Sequence, residues 1–322
     1  MVETAELVSK VLVLDDMPDG GARFKAFCDG NHLVGLKAHA ENVMSVLKSN
    51  VDLGAIFLSE DYGDKTGAGL VLARDIHAVR PELPIFLRRQ STDDLSDLSE
   101  REQRYFSLAY QLDNIDKLAP VINETIFSLV YPNALVRGIT EITKAALESQ
   151  FKEVDVSSEA PYIVRDRIIY GELFTLIPLE SNWCRGYMML QTDEGPLVHF
   201  VETDKTHIQT EKVNFRDINH VLGEVTNLVW GSFKNRFISY DPLEGRSSQV
   251  PIIVNHLNRY ISFGSEDPQL CFKYTLTDKN GSGQSLVLYQ RFVFNLSWNP
   301  DKFKENEALV EDLFDSGELE LF

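Results

Sequence analysis

The sequence predicts two folded units of different class, an α/β unit followed by an α+β unit. In the first 130 residues, short continuous apolar runs alternate with helical segments, which indicates a doubly wound parallel sheet. After about residue 160, apolar residues recur at alternate positions between turn residues, which is typical of antiparallel strands. The predicted boundaries are 1–130 for the first unit, 131–298 for the second, and 299–322 for a flexible linker and acidic tail.

Composition and charge exclude several classes of function. The formal charge of −18, from 31 basic and 49 acidic side chains, argues against a nucleic-acid partner, which would need a basic surface. The first residues carry no apolar signal segment, and no apolar run approaches the ~18–20 residues that span a bilayer. We therefore expect a cytoplasmic protein with no membrane partner. Cys28, Cys184 and Cys271 form no CxxC pair, so they predict neither a disulfide framework nor a metal site.

The first unit begins with a buried strand that ends in two acidic residues. Val11–Leu14 is continuously apolar and Asp15 and Asp16 follow it, at the edge where parallel sheets carry their functional groups. The remaining expected elements are helices at 20–30, 40–49, 68–80 and 115–130 and strands at 54–58 and 85–87.

Two stretches of this unit, VLVLDDMPDG and RDIHAVRPELPIFL, resemble the receiver domains of two-component response regulators. The resemblance implies a flavodoxin-like (βα)5 fold in which Asp15 and Asp16 match the family's Mg²⁺-binding acidic pair. Other expected residues are missing: Ser59 stands where the phosphoacceptor Asp would end the third strand, and the Lys position falls near Asp113. Arg88 or Arg89 takes the position of the family's Ser/Thr.

Phosphoryl transfer depends on positioning and charge neutralisation, so a receiver needs its Asp, metal and Lys together. We therefore interpret residues 1–130 as a degenerate receiver that is not phosphorylated in the usual way. Three alternatives stay open: a plain flavodoxin-like scaffold with a solvated acidic strand end, Glu60 as an imitation of a phosphorylated Asp, and Asp61 as a shifted acceptor.

The second unit is predicted to open with an amphipathic helix, ALVRGITEITKAALESQF, and to continue as an antiparallel sheet. The expected strands lie in PYIVRDRIIYG, ELFTLIPL, CRGYMMLQ, PLVHFVE, SQVPIIVNH, RYISFG, QLCFKYTLTD and SLVLYQRFVFNL. Helices against an antiparallel sheet define the α+β class.

A long helix, Asn214–Asn235, lies between these strands in the sequence and has two distinct faces. Apolar residues recur at three- and four-residue steps and predict one buried stripe. Roughly 150° away, at about 100° per residue, a second face carries His220, Glu224, Asn227 and Gly231. A carboxylate and a carboxamide three residues apart therefore emerge side by side. Asn214 is the expected N-cap.

The run GEVTNLVWGSFKN resembles the ExxN helix of the CheC/CheX chemotaxis phosphatases, over about residues 133–295. The first helix offers Glu141 and Lys144 but no Asn, which suits the single-site CheX type. The resemblance implies hydrolysis of the aspartyl phosphate of a CheY-like receiver. Asn227 would orient the water and Glu224 would pair with the partner's Lys.

The resemblance also implies that Mg²⁺ belongs to the substrate receiver, so this chain needs no cofactor of its own. Three alternatives remain: ordinary solvated helix residues, a non-catalytic adaptor that titrates response regulators, and an output protein with an unusual acceptor. A homodimer stays open as well.

In the tail, Leu309, Leu313 and Phe314 lie on one helical face among acidic residues, and Phe322 ends the chain. This segment resembles the C-terminal docking peptide of the CheZ phosphatases, which implies a receiver-binding tether. The alternatives are a disordered acidic tail and a helix docked on its own protein.

Overall fold

The structure is a computed structural model that describes residues 5–16, 20–49, 53–63, 66–81, 83–165, 168–169, 171–210, 212–238, 252–255, 261–262, 268–280 and 283–306. Its first sheet is parallel throughout, in the order β2-β1-β3-β4-β5, which is the flavodoxin-like order. The elements of this part are β1 (Ser9–Leu14), α1 (Gly20–Gly30), β2 (Leu33–Lys37), α2 (Val43–Ser49), β3 (Leu53–Ser59), α3 (Ala68–Val79), β4 (Ile85–Arg88), α4 (Glu100–Gln103), β5 (Leu108–Tyr110) and α5 (Leu118–Thr125). The predicted α/β class is confirmed.

The second sheet is antiparallel, in the order β11-β9-β10-β14-β13-β6, with β7 also paired to β13. The elements are α6 (Asn133–Gln150), β6 (Val154–Ser158), β7 (Tyr162–Val164), β8 (Ile168–Ile169), β9 (Leu173–Glu180), β10 (Cys184–Thr192), α7 (Glu194–Glu202), α8 (Phe215–Phe237), β11 (Ile252–Asn255), β12 (Ile261–Ser262), β13 (Gln269–Asp278) and β14 (Ser285–Trp298). The long helices α6 and α8 pack on each other and on this sheet, which confirms the α+β class.

The prediction of a strand in PLVHFVE is wrong, because these residues belong to helix α7. Its buried side chains are Leu197, Phe200 and Val201, at spacings of three and four residues that suit a helix packed on one side. The short strand β6 was not predicted.

Residues 299–306 also differ from the expected flexible linker, because they lie against the second unit. The Phe303 ring is buried against the rings of Trp183 and Phe237, at centroid distances of 5.1 and 5.6 Å. Asn306 donates its backbone N–H to the carbonyl of Arg236 at the end of α8. The following residues, with Leu309, Leu313, Phe314 and Phe322, lie outside the described part of the chain.

The two sheets are joined where β1 begins. The Ile163 N–H of β7 donates to the Val8 carbonyl at 2.9 Å, and the fully buried Ser9 hydroxyl donates to the Ile163 carbonyl at 2.9 Å. One apolar cluster runs across this junction, from Val11 to Leu135 on α6. Asp15 follows the opposite, carboxyl end of β1. The boundary near residue 130 stays a prediction.

No helix within the described residues is both long enough and apolar enough to cross a bilayer.

Candidate functional site

The helix predicted to carry the site, α8, has a capped N-terminus. The Asn214 side chain accepts the Arg216 N–H at 2.8 Å, and the Asp217 carboxylate accepts the Asn214 N–H at 2.9 Å. This capping box confirms Asn214 as the N-cap, and it satisfies backbone N–H groups that the first turn leaves without helical partners.

The buried face of α8 fixes the helix on the sheet. The apolar side chains on this face include Ile218, Val221, Leu222, Val225, Val229 and Phe233. Among them, the fully buried Thr226 hydroxyl donates to the Leu222 carbonyl at 2.7 Å and accepts a 2.7 Å hydrogen bond from the hydroxyl of Thr175 on β9. A buried polar link with both hydroxyls satisfied sets the rotation of α8, and thereby decides which residues face outward.

The outward face carries the predicted pair. The Glu224 side chain is 44% exposed and Asn227 is exposed, one turn further along the same face. His220 is also exposed, with its Nδ1 4.0 Å from Glu224 Oε1. A Cβ added to Gly231 would meet no atom within 4 Å, so the helix backbone is open to an approaching surface there. The structure thus places the carboxylate and the carboxamide where another protein can reach both.

The other helix of the layer offers no second pair. Glu141 on α6 accepts a 2.8 Å ion pair from Arg236 of α8, and Arg236 also pairs with Glu305 at 2.6 Å. Burial, the largest influence, lowers the pKa of Arg236, but the hydrogen bonds that its guanidinium donates to Glu141 and Glu305 raise the pKa overall. Arg236 of α8 therefore links this helix to α6 through Glu141 and to the C-terminal segment through Glu305.

At the carboxyl edge of the parallel sheet, an arginine forms an ion pair with one of the two acidic residues that were expected to bind a metal ion. Asp15 and Arg88 form a two-pronged ion pair in which both side chains are about 95% buried. The same guanidinium donates to the Ser59 hydroxyl at 2.7 Å. Above them, burial and then the charge of Asp15 raise the pKa of the Tyr110 hydroxyl well above its usual value.

The neighbouring acidic residues also have partners within the chain. The exposed Asp16 accepts the Gly63 N–H at 3.0 Å, and Asp61 accepts the Gly67 N–H at 2.9 Å just before α3. Glu60 pairs with Arg89 at 2.9 Å.

Beyond this edge, Asp113 at the expected Lys position pairs with Arg23 at 2.9 Å.

These contacts do not fit a Mg²⁺ site at Asp15 and Asp16. Mg²⁺ needs an octahedron of oxygen ligands, whereas Asp15 already neutralises a buried guanidinium. Within the described residues, no group of three or more Asp, Glu, His or Cys side chains is arranged to hold a metal ion. The Asp15–Arg88 pair was not predicted from the sequence. A long cationic residue at a strand end where the receiver family has a small hydroxyl residue was the available signal.

No protein family and no curated protein matches the chain. Among solved structures, a putative chemotaxis protein from Desulfovibrio vulgaris Hildenborough is similar at 12% identity, with a TM-score of 0.37, over 49% of this chain and 96% of that one. A complex of CheX with CheY, BeF3 and Mg²⁺ from Borrelia burgdorferi is similar at 13% identity and a TM-score of 0.30, over 49% and 97%.

A response regulator from Thermotoga maritima is similar at 16% identity and a TM-score of 0.28, over 35% of this chain and 99% of that one. The likeness to CheX proteins and to response regulators that the motifs suggested is thus found among solved structures as well. It concerns the fold alone, and the assignment of function depends on the side chains of this chain.

Proposed function

We propose that the chain is a phosphatase that hydrolyses the aspartyl phosphate of a CheY-like response-regulator receiver in trans. The observation that carries the proposal is the outward face of α8, where Glu224 and Asn227 lie one turn apart. A capped and well-packed helix fixes the backbone from which both side chains project, and preorganisation of this kind supports positioning catalysis.

The chemistry divides between the two proteins. The partner contributes the phosphorylated Asp, Mg²⁺ and a Lys. The Asn227 carboxamide orients a water molecule in line with the phosphoryl group. As the water oxygen bonds to phosphorus, the bond from phosphorus to the Asp oxygen breaks, so that inorganic phosphate and a free carboxylate are released. Glu224 forms a charge-assisted hydrogen bond with the partner's Lys and fixes the docked position.

The receiver-like unit has a different task in this proposal. With Ser59 at the acceptor position and Arg88 on Asp15, the unit serves partner choice, regulation or dimerisation. The tail with Leu309, Leu313, Phe314 and Phe322 is proposed to bind the substrate receiver. Such a tether raises the effective concentration of a weakly bound substrate at the face of α8.

The test follows phosphate release from a panel of phosphorylated receivers mixed with the full chain. For the true substrate, Asn227→Ala is expected to lower the maximal rate by roughly 100-fold, as loss of one positioned transition-state group does. Glu224→Ala should mainly raise the receiver concentration needed for half-maximal rate.

Glu148→Ala is a matched control, because Glu148 is an exposed residue of helix α6 and so lies on a different element from the pair. This substitution should not change the rate. Decay at the spontaneous rate with every receiver would overturn the enzyme assignment. Tight receiver binding with an unchanged phosphate lifetime would support the adaptor function instead.

A further inference from the structure

The Asp15–Arg88 pair joins parts of the parallel sheet that are not adjacent. Asp15 follows β1 and Arg88 ends β4, and β3 lies between them. Neighbouring strands are about 4.8 Å apart, so the Arg88 and Asp15 side chains together span roughly 10 Å over the end of β3. It passes Ser59, the last residue of β3, and donates to that hydroxyl at 2.7 Å. One guanidinium therefore ties together three strand ends.

The small side chain of Ser59 makes this crossing sterically possible. Ser59 is almost completely buried between Asp15 and Arg88, and it contributes an oxygen that accepts from the guanidinium. An arginine has five N–H donors in a rigid planar fork, which suits one carboxylate and one hydroxyl at the same time. A buried cation is stable here only because these acceptors compensate it.

The contacts among Asp15, Arg88 and Ser59 have the structural effect that a bound divalent cation would have at this edge of the sheet. A metal ion at an acidic pair would neutralise Asp15 and draw together oxygen atoms from neighbouring strand ends. Arg88 supplies that neutralisation from within the chain, with donors in place of a metal's coordination bonds. Asp16 is left outside, exposed and hydrogen-bonded to the Gly63 N–H.

We propose that Arg88 is a built-in counter-ion that replaces the divalent cation, so that the receiver-like unit keeps one conformation whether or not Mg²⁺ or a phosphoryl donor is present. The unit then presents a constant surface to its partners instead of switching. This inference does not depend on the phosphatase activity of α8, and either can fail alone.

The test compares the full chain with the variant Arg88→Thr, using melting temperature and binding of Mn²⁺ followed by electron paramagnetic resonance. In the wild type, millimolar Mg²⁺ should leave the melting temperature unchanged, and no single Mn²⁺ site should appear. Arg88→Thr should lower the melting temperature by roughly 10 °C, because Asp15 is then a buried charge without its counter-ion. Mg²⁺ should recover part of that loss, together with one Mn²⁺ site.

A second pair of variants decides the matter if Arg88→Thr does not fold. Asp15→Asn alone leaves the guanidinium uncompensated, whereas Asp15→Asn with Arg88→Met removes both charges and keeps similar volume. The double variant should melt above the Asp15→Asn single variant, because replacement of a whole buried pair is far better tolerated than removal of one partner.

Two results would overturn the proposal. One is a double variant no more stable than Asp15→Asn. The other is a wild-type protein that binds one Mn²⁺ ion, or that gains a phosphoryl group from acetyl phosphate and Mg²⁺, as measured by mass spectrometry.

Discussion

Gly231 on α8 provides a prediction that separates stability from function. Glycine in a helix interior is less favourable than alanine by about 1 kcal/mol, and leucine is nearly as favourable as alanine. A Cβ at Gly231 would meet no atom within 4 Å, so Gly231→Ala meets no steric obstacle in the free protein, and a leucine side chain would start from the same open position. Both variants should therefore melt higher than the wild type, by roughly 2–4 °C.

The same substitutions should impair docking. Gly231 follows Asn227 by four residues, which is about 6 Å along the helix axis and on the same outward face. A leucine side chain would stand between the helix and a receiver that approaches this backbone closely. We expect Gly231→Leu to lower kcat/KM for receiver dephosphorylation by roughly 10-fold or more, the equivalent of about 1.4 kcal/mol, with Gly231→Ala intermediate.

The assay pairs thermal unfolding with phosphate release on the same preparations. Gly195→Leu is the matched control, because Gly195 lies in α7 and its added Cβ also meets no atom within 4 Å. It should leave the dephosphorylation rate unchanged. A Gly231→Leu protein that melts lower than the wild type would refute the steric argument. One that melts higher and works at the wild-type rate would refute close docking at this face.

Three further outcomes follow from the packing and the charges. Ser9→Ala should lower the free energy of unfolding in urea by about 1–3 kcal/mol, because the buried Ile163 carbonyl loses its hydroxyl donor; an unchanged urea midpoint would contradict this role at the junction. Phe303→Ala should cost about 3–5 kcal/mol and shift tryptophan emission to the red, whereas a flexible linker would show neither change. The hydrogen bond from Arg89 lowers the pKa of Asp97 below its ordinary 3.8, so its stabilising contribution is present above that pH and is lost as the pH falls through the depressed value. Melting temperatures between pH 5 and pH 2 should therefore fall less steeply for Asp97→Asn, and parallel curves would contradict the assignment.

Local patterns in the sequence were sufficient for the elements whose burial repeats with a regular period. The stripe of α8 and its Asn214 cap are encoded by consecutive residues, and the structure confirms both. The alternation of apolar strands and helices likewise led to the correct parallel sheet. PLVHFVE was predicted wrongly because a seven-residue apolar segment is too short for its period to distinguish a strand from a helix.

The outward placement of Glu224 and Asn227 could be predicted, because it is the complement of the buried stripe. The ion-pair partners of other charged residues within the chain could not be predicted. Glu141 is the glutamate of the first helix that has no Asn three residues later, and packing of α6 on α8 brings it to Arg236, 95 residues away. Phe303 stands in a polar stretch, and its burial depends on Trp183 and Phe237, which are distant in sequence.

Patterns of neighbouring residues were sufficient to predict the two fold classes, the position and faces of α8, and a serine, Ser59, at the end of β3. The contacts made by Asp15 and Ser59 at the carboxyl edge of the parallel sheet depend on the tertiary structure. The order of strands places the ends of β1, β3 and β4 side by side, and so brings Arg88 within reach of Asp15 across 73 residues of chain. Periodicity is a property of neighbours in sequence, whereas the pairing of buried charges depends on neighbours in space.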